Sequence, residues 1–125
     1  MKRIYDFSRN PAHRNFTVSD LKALKSSPKK LTMSNPANEE EVKACVEAGI
    51  DLFVIGPRDI GMVRSVAPSH FTGVGSKWAQ FGSNQEIMDD AFKAMMKGAD
   101  MYYTLRSFDV MEMMAKEGIP VHSHI

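Results

Sequence analysis

The chain has 125 residues, with 16 lysines and arginines against 15 acidic residues, and one cysteine. This length is sufficient to bury a hydrophobic core, and a single thiol excludes an internal disulfide, which fits a reducing compartment. No apolar run approaches the roughly 20 residues of a membrane-spanning helix. Asp6, Arg9 and Asn10 also deny the amino terminus the apolar segment of a signal peptide. We therefore expect a cytoplasmic protein with no membrane partner.

Residues 1–16 have no regular hydrophobic period and include Pro11, so we predict an extended basic arm. Eight lysines and arginines against two aspartates give residues 1–30 a net charge of +6, which leaves −5 for the remainder. A basic segment raises the question of nucleic acid. No recognised nucleic-acid-binding motif accompanies it, and the aromatic residues are scattered. We favour a solvated or subunit-contacting arm and do not expect nucleic acid as a partner.

The next segment begins a series of helices and strands. Thr17 and Asp20 have the spacing of a capping box, which predicts the start of a short helix. A first strand is predicted over 31–34. Asn38 then fits the N-cap of a second helix, because three glutamates follow it in the first turn, where the helix dipole favours acids.

A pattern of helix, glycine and apolar strand then occurs three times. The glycines are Gly49, Gly98 and Gly118, and each fits a left-handed C-cap. The strands that follow them are predicted over 52–55, 100–104 and 120–125. The irregular stretch in between contains a short predicted strand over 71–75 and no convincing helix between Met62 and Phe71.

Repetition of this pattern indicates right-handed βαβ units on a parallel sheet. The predicted fold class is α/β, with residues 17–125 forming the N-terminal portion, about five βα units, of a (βα)8 TIM-type barrel. A closed barrel needs about 250 residues, so we expect this chain to represent about half of a larger fold. An unpaired strand edge promotes pairing with another chain. A homo-oligomer is therefore expected.

Candidate ligand-binding residues follow the strand predicted over 52–55, at the edge where parallel α/β folds bind ligands. Gly56 and Gly61 bracket a loop there. Within it, Arg58 is suited to hold a carboxylate bidentately, and Asp59 is suited to bind Mg²⁺. The alternative interpretation is an ordinary polar loop.

Further candidates follow the two later strands. Arg106 comes just after the strand over 100–104 and is expected at the same rim. His122 and His124 are two residues apart on a strand, so they share one face, a spacing that suits a metal ion or a substrate oxyanion. The alternative is a partly buried histidine bonded to backbone or water. Ser107 is expected to cap a helix, and the methionines are expected to fill the core.

Four runs of the sequence resemble ketopantoate hydroxymethyltransferases. They occur in order, at residues 16–22, 47–51, 61–63 and 117–125. That family belongs to the phosphoenolpyruvate mutase/isocitrate lyase superfamily of (βα)8 barrels. The resemblance implies a transferase of pantothenate biosynthesis that uses Mg²⁺ to hold a 2-oxo acid as its enolate. It also implies methylenetetrahydrofolate as the one-carbon donor.

The site residues implied by the resemblance are only partly present. Asp59 corresponds to the family's first metal ligand if one inserted residue is allowed in the loop. The second ligand falls near Gly75 or Ser76, and the substrate lysine and third ligand fall on Tyr103 and Leu105. The metal site therefore carries over poorly.

His124 corresponds to a family histidine, and we expect Arg58, Arg106 and His124 to replace the metal-based chemistry. The favoured function is a divergent carbon–carbon bond transferase or lyase acting on a small 2-oxo acid. Arg106 and His124 have catalytic roles in this interpretation, and Gly56, Arg58, Gly61 and His122 bind substrate. The alternative is a non-catalytic oligomeric or binding protein that kept the fold and lost the metal site.

Overall fold

The computed structural model describes residues 1–123. Two strands, β1 (Lys2–Tyr5) and β2 (Pro11–Arg14), form an antiparallel hairpin. The other five form one parallel sheet in which each strand neighbours the next along the chain: β3 (Met33–Ser34), β4 (Leu52–Ile55), β5 (Thr72–Gly75), β6 (Met101–Tyr103) and β7 (Val121–His122).

Helix α1 (Val18–Ala23) precedes the sheet, and one helix lies in each crossover between neighbouring strands. These four are α2 (Glu39–Glu47), α3 (Ile60–Val66), α4 (Asn84–Met96) and α5 (Phe108–Lys116). Short 3₁₀ turns occur at Leu24–Ser26 and Trp78–Gln80. No helix within residues 1–123 is long and apolar enough to cross a membrane.

Local signals in the sequence account for most of the helix ends. Thr17 and Asp20 form the predicted capping box, with Asp20 N donating to Thr17 Oγ1 and Thr17 N donating to Asp20 Oδ2. Asn38 caps α2 by accepting from Glu41 N. The predicted C-cap glycines Gly49, Gly98 and Gly118 have φ angles of 76°, 104° and 81°. These left-handed values are adopted easily only by glycine.

The sheet has two differently covered faces, and this decides the architecture. Alternate strand residues such as Phe53, Val74 and Tyr102 pack in one cluster with residues from all four crossover helices. The opposite face carries Leu52, Val54 and Met101, and within residues 1–123 the helix that packs on it is α1, through Val18 and Leu21. A doubly wound sheet has helices on both faces and reverses its strand order. Sequential order with the crossover helices on one face is the arrangement of a (βα)8 barrel, so the predicted partial barrel is confirmed.

The structure differs from the sequence-based expectation in the crossover between β4 and β5. The sequence predicted a loop from Gly56 to Gly61 and no convincing helix between Met62 and Phe71. Helix α3 instead begins at Ile60 and buries Ile60 and Val63 against the core. The helix was missed because it has only seven residues and Gly61 lies in its first turn.

Residues 1–16 are more ordered than the predicted extended arm. A turn with Arg9 at φ 64° joins β1 to β2, and Asn10 N donates to Asp6 Oδ1 at 2.8 Å. The side chain of Arg14 is only 4% exposed, and its Nε donates to Asp100 Oδ1 at 2.7 Å. Because Asp100 immediately precedes β6, the hairpin is anchored to the amino edge of the sheet.

Candidate functional site

A cleft of about 590 Å³ opens at the carboxyl edge of the sheet. Its lining comes from the ends of four neighbouring strands and the loops that follow them. Those residues include Asn35 after β3, Gly56 and Asp59 after β4, Gly75, Ser76 and Lys77 at the end of β5, and Tyr103 and Leu105 at the end of β6. An adjoining space of about 590 Å³ shares five of these residues and adds Arg58 and Gln80. Four consecutive βα units therefore build one depression where ligands of such folds bind.

The loop after β4 places a carboxylate in this cleft. Asp59 N donates to Gly56 O at 3.1 Å, which closes a tight turn before α3. The Asp59 side chain makes no capping hydrogen bond to the helix. A Cβ at Gly56 would lie 3.6 Å from Asp59 Oδ2, so the carboxylate lies over the glycine backbone.

Two cations line the same cleft. Arg58 and Lys77 are exposed, and the side chain of neither forms a salt bridge or hydrogen bond within residues 1–123. They belong to neighbouring loops, after β4 and after β5. Neither side chain forms an ion pair within the part of the chain that the structure describes, so the two charges are available to an anionic ligand, although the Asp59 carboxylate lines the same space.

This donor set fits Mg²⁺ poorly. Among the described residues no group of three histidine, cysteine, aspartate or glutamate side chains is arranged to hold a metal ion. Asp59 is the carboxylate lining the cleft, and it shares the space with Arg58 and Lys77. Two neighbouring positive charges oppose the binding of a divalent cation at a single carboxylate.

The guanidinium of Arg106 contacts the segment that begins α4. It donates to Phe81 O at 3.1 Å and to Asn84 Oδ1 at 3.5 Å, and the backbone N of Arg106 donates to Thr104 Oγ1 at 3.2 Å. These contacts tie the loop after β6 to the segment that begins α4. Arg106 therefore links two loops at the rim in this structure and is not among the residues that line the cleft.

The predicted histidines divide between two situations. His122 lines a separate groove of about 490 Å³ on the sheet face covered by α1. Its ring packs edge-on against Tyr103, with centroids 5.2 Å apart and an interplanar angle of 63°. Because Tyr103 also lines the cleft, His122 is separated from it by one aromatic ring. His124 lies outside the described residues.

Of the predicted site residues, the structure therefore brings together Gly56, Arg58 and Asp59. Gly61 is exposed in the first turn of α3, and a Cβ there would meet nothing within 4 Å. Gly61 is not among the residues that line the cleft.

Sequence reasoning missed a hydrogen-bonded cluster beneath the cleft. Asp90 Oδ2 accepts from Ser76 Oγ at 2.5 Å and from Tyr102 OH at 2.5 Å. Tyr102 is fully buried, and burial together with the Asp90 hydrogen bond raises the pKa of its phenol above the ordinary value. The sequence did contain a signal for this cluster. Position 90 is three residues after Ile87 and four before Ala94, and both of those residues are buried. The Asp90 carboxylate therefore lies on the apolar stripe of α4.

Comparisons with known proteins add a distant structural neighbour. No protein-family model matches the sequence, and no curated protein sequence matches it. A chain from Coccidioides immitis assigned as a deoxyribose-phosphate aldolase is similar over 66% of this chain, with 13% sequence identity and a TM-score of 0.49. The present chain spans 36% of that chain's length. At this level of similarity, the neighbour's reaction is not transferred to the present chain.

Proposed function

We propose that the carboxyl-edge cleft binds a small 2-oxo acid and promotes making or breaking of a carbon–carbon bond beside the oxo group. The observation that carries this proposal is the pair of cations, Arg58 and Lys77, lining one cleft on neighbouring βα loops. The ligand charge that suits this pair is negative, and the cleft volume is that of a small-molecule site.

The two cations suit different chemical groups of a ligand. The planar guanidinium of Arg58 matches a carboxylate, which it holds through two parallel hydrogen bonds. Lys77 carries a compact ammonium that suits a single oxygen atom. In the proposed arrangement Arg58 holds the carboxylate and Lys77 faces the 2-oxo oxygen.

This arrangement supports chemistry at the carbon next to the oxo group. Carbon–carbon bond formation or cleavage there places negative charge on the 2-oxo oxygen in an enolate. A fixed ammonium stabilises that charge as it develops. Mg²⁺ and methylenetetrahydrofolate, which the sequence resemblance implied, are not part of the proposal because the cleft residues fit a metal ion poorly.

Binding of 2-oxobutanoate to the full chain, measured by isothermal titration calorimetry, tests the first half of the proposal. Loss of a charge-assisted hydrogen bond costs about 1.5–3 kcal/mol, so Arg58→Gln and Lys77→Gln should each weaken binding by about tenfold to a hundredfold. Arg3→Gln is the matched control, since Arg3 is exposed on β1 at the other edge of the structure. Equal affinity in all four proteins would exclude this cleft as the site.

Proton exchange tests the second half. Formation of an enolate in D₂O releases a C3 proton of 2-oxobutanoate to the solvent, and the enolate then takes a deuteron from D₂O at the same carbon. Proton NMR detects the exchange as loss of the C3 signal. The wild type should accelerate this exchange, and Lys77→Gln should abolish the acceleration while the folded signals of the protein persist.

One observation favours a second candidate, a non-catalytic binding protein. Arg106, predicted to be catalytic, is engaged with Phe81 O and Asn84 at the rim. Specific binding of 2-oxobutanoate with no acceleration of deuterium exchange would support this candidate over the enzyme.

A further inference from the structure

We propose that Ser76 forms a subsite that accepts a hydrogen bond from a hydroxyl group of the ligand, so that the cleft prefers hydroxyl-bearing 2-oxo acids to their alkyl counterparts. This inference rests on the proposed function for the position of the acid group. It adds a specificity-determining residue, Ser76, and two residues that position it, Asp90 and Tyr102.

The first step is the location of Ser76. It follows the last residue of β5 and lines both halves of the cleft. Lys77 is its neighbour in the chain, and Arg58 lines the same space. A ligand whose carboxylate contacts Arg58 and whose 2-oxo oxygen faces Lys77 therefore lies within the same depression as the serine hydroxyl.

The second step is the direction of the hydroxyl hydrogens. An ionised carboxylate accepts hydrogen bonds and has no hydrogen to give. Ser76 Oγ and Tyr102 OH both lie 2.5 Å from Asp90 Oδ2, so each hydroxyl donates its hydrogen to that oxygen. Tyr102 is fully buried and has no exposed surface through which to bond water instead.

The third step follows from the donation of the Ser76 hydrogen to Asp90. A serine hydroxyl has one hydrogen and two lone pairs. With the hydrogen held by Asp90, Ser76 offers only lone pairs to the cleft. The ligand group that satisfies it is a hydrogen-bond donor such as a hydroxyl, whereas an alkyl group leaves the lone pairs without a partner.

The experiment compares two acids of nearly equal shape. Hydroxypyruvate carries a hydroxyl where 2-oxobutanoate carries a methyl group, and the 2-oxo acid portion is common to both. Their dissociation constants are measured for wild type, Ser76→Ala, Ser76→Thr and Asp90→Asn. The informative quantity is the affinity of hydroxypyruvate divided by that of 2-oxobutanoate.

In wild type this ratio should be about five or more, which is the value of one ordinary hydrogen bond. Ser76→Ala should lower it to about one, and Ser76→Thr, which keeps the hydroxyl, should restore a ratio above one. Asp90→Asn removes the carboxylate that fixes the serine hydrogen, so the hydroxyl is no longer held in one orientation and the ratio should fall towards one. An equal loss of affinity for both acids, with the ratio kept at its wild-type value, would instead indicate a general structural role and overturn the positioning role of Asp90.

Asp89→Asn is the matched control, because Asp89 is the exposed neighbour on α4 and bonds only Gln85 among the described residues. Its ratio should equal that of wild type. A ratio that is the same in wild type and Ser76→Ala overturns the subsite and leaves the proposed function intact. Failure of 2-oxobutanoate itself to bind wild type overturns both. Thermal unfolding of each variant checks folding, and the Ser76 variants decide the matter if Asp90→Asn does not fold.

Discussion

Replacing Asp100 with alanine should be among the most destabilising single changes in this protein. The Asp100 side chain is 6% exposed, and its carboxylate accepts from Arg14 Nε at 2.7 Å, Arg64 Nη2 at 2.8 Å and Thr72 N at 2.9 Å. Three elements meet at this carboxylate: the hairpin, helix α3 and the start of β5. Its removal therefore unlinks all three at once.

The expected loss is about 3–5 kcal/mol of unfolding free energy, the usual cost of removing one partner from a buried ion pair. The guanidinium of Arg14, at 4% side-chain exposure, would be left without its counterion. Backbone carbonyls limit the loss, since Arg14 also donates to Pro68 O and Arg64 to Gly98 O. At about 0.05–0.15 kcal/mol per residue, a 125-residue protein has about 6–19 kcal/mol of stability. Much of the variant should therefore remain folded.

Urea denaturation followed by far-ultraviolet circular dichroism measures this difference. Asp109→Ala is the matched control, because Asp109 is an exposed aspartate in the first turn of α5, where its loss should cost less than about 1 kcal/mol. A double variant, Arg14→Met with Asp100→Ala, should lose less than the sum of the two single changes. If Asp100→Ala lowers stability by no more than Asp109→Ala does, the reasoning about the buried network is wrong.

Three further predictions concern pH, packing and metal. Burial lowers the pKa of His70 below its ordinary value of 6.5. As the pH falls, the unfolded chain therefore binds the proton at a higher pH than the folded chain does. The free energy of unfolding should consequently decrease as the pH drops below about 6.5. In urea titrations at a series of pH values, His70→Phe should show a smaller decrease in unfolding free energy than wild type does. An unchanged decrease would contradict the attribution of this pH dependence to His70. A Cβ at Gly75 would lie 2.9 Å from Tyr103 Cδ1 and 3.2 Å from its backbone oxygen, so Gly75→Ala should cost about 1–3 kcal/mol of unfolding free energy. Gly73→Ala, which meets only side-chain atoms, should cost less, and the reverse order would refute this account. Mg²⁺ should leave the calorimetric affinity for 2-oxobutanoate unchanged, and a gain that disappears in Asp59→Ala would instead restore a metal mechanism.

The fold could be predicted from the sequence because its signals are local. Gly49, Gly98 and Gly118 each end a helix by adopting a positive φ that other residues avoid. The strand Leu52–Ile55 is buried on both faces and therefore lacks polar alternation. Each of these properties depends on a few consecutive residues, so a single sequence is sufficient to show it.

The candidate site was less predictable because it depends on which side chains tertiary packing brings together. The bond between Asp90 and Tyr102 forms only when α4 packs on β6, twelve residues away in the chain. Arg106 lies at the rim, where it was expected, but its contacts are with carbonyl and amide acceptors more than twenty residues earlier, at Phe81 and Asn84, and no local pattern shows those. The hairpin was missed for a related reason. Its strands are largely exposed, so β1 shows no apolar alternation.

The anchoring of the hairpin has a consequence for synthesis on the ribosome. The hairpin leaves the ribosome before its buried partner Asp100, which is 86 residues after Arg14. At about 5–20 residues per second, the segment waits roughly 4–17 s before that aspartate is even made. Throughout this interval the guanidinium of Arg14 has no native counterion. The hairpin therefore depends for its buried contact on a residue that is made much later, and its docking on the sheet follows the synthesis of Asp100.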